Sequence, residues 1–272
     1  MSYTGKIELE VVKKQQKTVL SSCYQEGAFR ASRPIYTDEE MPLVYLVHVG
    51  GGYVDGDSYY TVLKLEESAA LTVATQSSTK VYKTPVRPVS QKTAIHLKSG
   101  SVLEYVQDPL IAYEAARFVQ ETSVYMEGGA SLFYSDIITP GWAHDGSLFA
   151  YGWIRSKLKV WIDGELILFD HLRLEPDHDI GGILQMDGFT HLGTFTAVHP
   201  LAGREFLDAL YERLEGMDAG LRFGLSILPP GYGMVLRVLG NRTGSVERLI
   251  EAARTFARET LLHKDSLFLR KY

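Results

Sequence analysis

Between residues 59 and 135 the chain repeats one unit three times: a run with apolar and polar alternation, a short polar turn, and a second such run. The first unit spans residues 59–65, 66–68 and 70–75, the second 93–97, 98–100 and 102–106, the third 118–126, 127–129 and 131–135. Alternation of period two sets one side of each run against a core and the other toward solvent, which is the signature of strands. Leu71, Leu103 and Leu132 open the three second runs, 32 and 29 residues apart. A strand pair recurring at that interval buries its apolar side only by stacking on its neighbours. The expected fold is therefore mainly β, with stacked or layered β-hairpins in a β-helix-like two-layer arrangement.

The flanks extend this reading. Residues 6–24 read as a further hairpin, and residues 45–49 as a strand entering the stretch His48-Val-Gly-Gly-Gly-Tyr-Val-Asp-Gly-Asp57. Asp163-Gly164 between two alternating runs is a strong two-residue hairpin signal. In that register Ile162 faces Glu165 and Lys157 faces Asp170, which makes a cross-strand ion pair the plain structural role for Asp170. Helical spacing is confined to the C-terminal third. Phe206, Leu207, Leu210, Tyr211, Leu214 and Met217 form one apolar stripe, and Val246, Leu249, Ile250, Ala253, Phe256, Ala257 and Leu261 a second, with Ser245 as the expected N-cap. No linker-like break divides the chain, so residues 1–272 are expected to be a single domain with two α-helices.

Charge and cysteine usage narrow the class. A net charge of -5 without a basic block argues against nucleic-acid binding. One cysteine, Cys23, excludes an internal disulfide and suits a reducing compartment; a small residue packed in a strand is its expected role. No run approaches the ~18 apolar residues of a membrane span, and the N-terminus lacks the apolar core of a signal peptide. A cytoplasmic, soluble protein is expected.

The glycine stretch is neither a phosphate loop nor a dinucleotide fingerprint, because neither Gly-Lys-Ser/Thr nor a helix follows it. Asp55, Asp57 and Glu66 match a calcium loop poorly, since the glycine at its sixth position is missing. No nucleophile elbow and no His-Glu-x-x-His occurs. Asp177-His178-Asp179 could grip a divalent ion or form a solvated turn after Pro176. With His191 and His199 the first two of these residues define an alternative, a β-rich metal-dependent hydrolase. Without a catalytic constellation, a binding or scaffold role is the default.

Gly50-Gly-Gly-Tyr-Val-Asp-Gly-Asp57, followed by Thr75-Gln-Ser-Ser-Thr-Lys-Val-Tyr82, resembles the paired signature of the urease accessory protein family UreD, called UreH in some bacteria. The likeness continues through Leu103-Glu104, residues 133–140, the Asp163-Gly164 hairpin, residues 236–240 and Leu269-Arg270. Where that family often has Gly-Arg and Glu-Arg-Leu, this chain has Gly141-Trp142 and Asp170-His171-Leu172. The resemblance implies a mainly β layered fold with two helices. It also implies a non-enzymatic urease maturation factor that binds urease apoprotein with UreF and the GTPase UreG. Ni²⁺ would be in transit to the urease active site, through an interior route proposed for the family, with no tightly bound cofactor. Gly51, Gly52, Gly56, Thr79, Lys80 and Tyr82 fall on the motif positions.

A conduit needs weak, exchangeable oxygen ligands, because several histidines or thiolates would hold Ni²⁺ too tightly for release. Asp57, Glu104 and Asp170 are the candidates for a nickel path. Each has a competing structural role, as a turn-satisfying acid or a partner for a lysine, and Lys80 is expected to pair with one of them. A purely structural adaptor is the remaining alternative.

Overall fold

The computed structural model describes residues 3–36, 40–176, 180–182, 185–217, 219–229, 231–267 and 269. Strands β1 (Gly5–Lys14) and β2 (Lys17–Gly27) form the expected antiparallel hairpin. Cys23 lies exposed on β2, an edge strand, rather than packed. The short β3 (Phe29–Ala31) pairs with β4 (Leu43–His48), which leads into the glycine stretch.

Three coils follow. They are β5 (Ser58–Leu65), β6 (Ala70–Thr75) and β7 (Thr79–Val81); β8 (Val89–Leu97), β9 (Val102–Val106) and β10 (Leu110–Ala112); and β11 (Arg117–Met126) with β12 (Ser131–Ile138). The two long strands of each coil do not pair with each other. β5, β8 and β11 pair in parallel in one sheet, while β6, β9 and β12 pair in parallel in another. Each polar turn thus carries the chain from sheet to sheet, and the three units are arches of a solenoid rather than hairpins. The alternation is identical in both cases, so periodicity does not distinguish them. Stacking does: Leu71, Leu103 and Leu132 are register partners, one per coil. The turns stack as well, Ser68 N–H donating to Ser99 O at 3.0 Å and Ser99 Oγ to Gly128 O at 2.9 Å.

β13 (Trp153–Ile162) adds in parallel to β11, and β14 (Glu165–Leu174) returns antiparallel to it. Asp163 and Gly164 turn the chain at φ 49° and 84°, the left-handed pair that a two-residue hairpin requires. β15 (His191–Val198) extends the other sheet beside β12. After α1 (Arg204–Leu214), strands β16 (Arg222–Ile227) and β17 (Gly233–Gly240) complete it, and α2 (Thr243–Ala257) runs into a π-helical turn, Arg258–Leu262. The first sheet has the order β14-β13-β11-β8-β5-β1-β2, the second β16-β17-β15-β12-β9-β6-β4-β3.

Both helices come where the apolar stripes put them, with two differences. α1 ends at Leu214, leaving Met217 outside it and exposed, and α2 starts at Thr243, so Ser245 sits in the first turn and accepts a bond from Arg248 at 3.0 Å. Their buried faces, with Phe206, Leu210, Leu249 and Ala253, cover the outer side of the second sheet and form a second core. The main core lies between the sheets.

Candidate functional site

The two signature stretches meet at one end of the sandwich. Tyr53 N–H donates to Lys80 O at 2.8 Å, Tyr82 N–H to Tyr53 O at 2.9 Å, and the Tyr82 hydroxyl to Gly51 O at 2.9 Å. Gly52 has φ 143°, and a Cβ there would sit 2.7 Å from Lys80 O; glycine is required by both backbone and space. Gly56, at φ 76°, packs against the Arg87 guanidinium. Thr79 lines the cavity between the stretches, and the Tyr53 hydroxyl donates to Gln91 Oε1 at 3.0 Å. Lys80 itself is exposed and makes no ion pair among the described residues, contrary to its expected pairing with an acid. Between the stretches lies a cavity of about 150 Å³ lined by His48, Tyr53, Thr75, Gln91 and Tyr105 among others.

Asp57 closes the glycine turn beside this cavity. Its carboxylate accepts from Val54 N–H at 2.8 Å, Thr4 Oγ1 at 3.1 Å and the Tyr59 hydroxyl at 2.8 Å. Because Tyr59 spends its proton on Asp57, its oxygen accepts from His48 Nε2 at 3.1 Å. Burial, then the bond to Asp57, pushes the Tyr59 phenol far above its ordinary range.

From the cavity a polar seam continues between the sheets. Cross-strand partners Gln91, Gln120 and Ser156 form one inward row of the first sheet, and Thr61, Thr93 and Thr122 the next. These are positions that a solenoid ordinarily fills with apolar side chains. Tyr134 accepts from Gln107 at 2.8 Å and lies 3.3 Å from Thr122 Oγ1, and Gln120 donates to Ser156 at 3.1 Å and to Asp136 at 3.3 Å. Hydroxyls and amides here satisfy one another, as buried polar groups must.

Asp136 and Asp170 stand at the far end, on a cavity of about 20 Å³, room for roughly one water. Asp170 arrives there through a register shift. A bulge between Val160 and Trp161 moves the pairing by one residue, so that Asp170 faces Leu158, and Lys157 faces His171. One residue of slip turns a side chain to the opposite face, which places Asp170 inside the sandwich instead of beside Lys157. Lys157 pairs with Glu121 at 3.4 Å, and Asp170 with Arg237. Burial, then the Asp170 charge, pushes the Asp136 carboxyl up to about 7, against the pull of Arg237.

Asp136 and the inward rows escaped the sequence reading. The signal was present: Gln91-Lys92-Thr93 recurs as Gln120-Glu121-Thr122 one coil later, and Asp170 alternates with Leu168, Leu172 and Leu174, an apolar face.

Glu104 is elsewhere, on the helical side of the second sheet. It is fully buried and receives Arg258, and Arg254 at 3.3 Å, from α2 and the turn after it. Arg254 also donates to Leu267 O at 3.2 Å, and Arg258 to Asp265 O at 2.8 Å. Burial pushes the Glu104 carboxyl up, and the Arg258 and Arg254 charges draw it down. Its lone pairs are taken by guanidiniums, which ties the last helix and the C-terminal segment to β9.

For the hydrolase alternative, Asp177 and His178, like Asp179, lie outside the described residues, as does Arg270. His191 stands at the start of β15, bonded to Thr190 at 2.8 Å and Thr243 at 3.0 Å, while His199 follows its other end and accepts from Leu201 N–H at 3.0 Å. Eight steps of extended chain separate them by roughly 27 Å, so they cannot share one ion. Among the described residues no group of three or more His, Cys, Asp or Glu is arranged to hold a metal.

These features define a two-sheet β-solenoid protein with a helix-covered second sheet and a polar interior ending in a carboxylate pair. The pattern of the family described as UreD urease accessory protein matches residues 3–271. The chain is 58% identical over 272 residues to the urease accessory protein UreD of Bacillus sp. (strain TB-90), covering 100% of both chains. It is 40% identical to that of Lachnoclostridium phytofermentans, covering 100% of this chain and 99% of the relative, and 35% identical to that of Staphylococcus epidermidis, covering 99% and 98%. The chain belongs to the UreD family.

Proposed function

We propose that this chain is a cytoplasmic, non-enzymatic factor in urease maturation, that it binds urease apoprotein together with UreF and the GTPase UreG, and that hydrated Ni²⁺ passes through its interior in transit. Family membership supports the maturation role. The observation that carries the nickel route is the polar seam, which runs from the cavity beside Asp57 through two rows of amides and hydroxyls to Asp136 and Asp170. Oxygen donors and single carboxylates bind Ni²⁺ weakly and exchange it readily, as a conduit requires. Glu104 enters this proposal as the anchor of α2, since its carboxylate is engaged by two arginines.

The test is co-expression of urease and its accessory proteins with Asp57→Ala, and separately with Asp136→Asn combined with Asp170→Asn. The double variant is expected to bind its partners in a pull-down and to lower urease nickel content and activity at least tenfold. A second reading, a purely structural adaptor, is favoured by the narrowness of the Asp136 cavity, about 20 Å³. Unchanged nickel content in the double variant would establish that reading and end the conduit.

A further inference from the structure

The two outer faces of the sandwich differ. That of the second sheet is covered by α1 and α2, whereas that of the first has no helix over it among the described residues. Its outward side chains lie in rows across the strands. His96, Tyr125 and Trp161 form one row on β8, β11 and β13, stacked at 5.2 Å and 16°, then 4.9 Å and 10°. Tyr125 is 45% and Phe169 54% exposed. Around them stand Lys64, Lys92, Lys157 and Lys159; the same face carries Glu121, between Lys92 and Lys157 on the neighbouring strands, and, toward its β1 edge, Glu8 and Glu10, the latter opposite Lys64. After burial, the charges of Lys64 and Lys98 are what lower the His96 pKa. A chain of net charge -5 therefore gathers cations and exposed rings on the β8, β11, β13 and β14 part of one face.

We infer that this face is a docking surface for an acidic protein surface, carried by the urease apoprotein that the chain serves. The inference rests on the proposed binding of that apoprotein and adds which face meets it. Complementary charge steers and orients such an encounter, and exposed aromatics amid cations are the residue types that anchor interfaces. The five strands that carry these residues, β5, β8, β11, β13 and β14, at about 4.8 Å make a face roughly 24 Å wide and, at ~3.3 Å per residue, about 33 Å long, on the scale of the ~800 Å² one partner contributes to a stable complex. Single-stranded nucleic acid fits less well, because the stacked rings cover each other's faces, where bases would lie, and Glu121 interrupts the cations.

Immobilised urease apoprotein would be offered the full-length chain at about 50–500 mM salt, over which the Debye length shrinks about threefold, from ~14 to ~4 Å. Capture of the wild type that weakens with salt, with at least a tenfold loss for Lys92→Glu/Lys157→Glu/Lys159→Glu and a severalfold loss for Tyr125→Ala/Phe169→Ala, supports the inference. Capture of the lysine-reversal variant equal to wild type overturns it and leaves the proposed function standing. Failure of the wild type itself to be captured removes the proposed function and this inference together. Tighter binding to a single-stranded oligonucleotide or to phosphatidylserine vesicles than to the apoprotein also overturns it. Should the reversal variant fail to fold by circular dichroism, the Lys→Gln set at the same positions takes its place, with a severalfold loss expected and equal capture again overturning the inference.

Discussion

Asp170 on β14 and Arg237 on β17 form an ion pair that joins the two sheets at the open end of the sandwich. The pair sits beside Asp136, and its two charges act on that carboxyl in opposite senses, Asp170 raising its pKa and Arg237 lowering it. This arrangement makes the interior acid sensitive to one exposed contact.

Stability should accordingly depend on pH through Asp136. Its folded pKa of about 7 lies above the unfolded value of ~3.9, so the folded state holds a proton that the unfolded chain releases. Stability then falls as pH rises from ~4 toward 7 and levels off above. Asp136→Asn removes this dependence. Urea midpoints should favour the variant more at pH 8 than at pH 5.

Replacing Asp170 by Asn takes away the like charge and leaves Arg237 beside Asp136. The Asp136 carboxyl should titrate at lower pH in this variant, followed through its ¹³Cγ resonance. An unmoved titration would mean that the two carboxyls do not sense each other.

Glu104 offers the largest expected loss of stability. Glu104→Gln leaves the buried Arg258 without its carboxylate partner and the buried Arg254 with Glu251, at 2.6 Å, and breaking a buried ion pair costs about 3–5 kcal/mol. At ~2–4 °C per kcal/mol for a chain of this size, thermal melting should drop by roughly 6–20 °C. Urease activation by the surviving folded fraction should fall only in proportion to its abundance.

Gly52 and Gly146 give a matched comparison. Both have positive φ, 143° and 80°, yet a Cβ on Gly52 would strike Lys80 O at 2.7 Å while one on Gly146 meets nothing within 4 Å. Gly146→Ala should cost about 1 kcal/mol, from backbone strain alone. Gly52→Ala should cost more, read as a larger drop in urea midpoint, because the contact is with backbone that cannot swing aside.

The stacking of coils was legible because a repeat that cannot bury itself alone must pile up, and Leu71, Leu103 and Leu132 marked its interval. The helices were legible from their apolar stripes, and the Asp163-Gly164 turn from residue types that tolerate left-handed backbone. Arches could not be told from hairpins, since both present the same alternation to the core. The glycine signature pointed to a place where backbone approaches backbone, and Gly52 against Lys80 is that place.

The residues alone determined a layered β chain carrying the UreD signature, for these follow from periodicity, turn chemistry and motif. Which acids face inward was decided only by tertiary structure. A bulge of one residue in β13 and β14 turned Asp170 from a surface partner of Lys157 into an interior neighbour of Asp136, and the fold of α2 onto β9 gave Glu104 to two arginines. Sequence spacing carries no record of such a slip, because strand pairing is set by contacts between segments far apart in the chain.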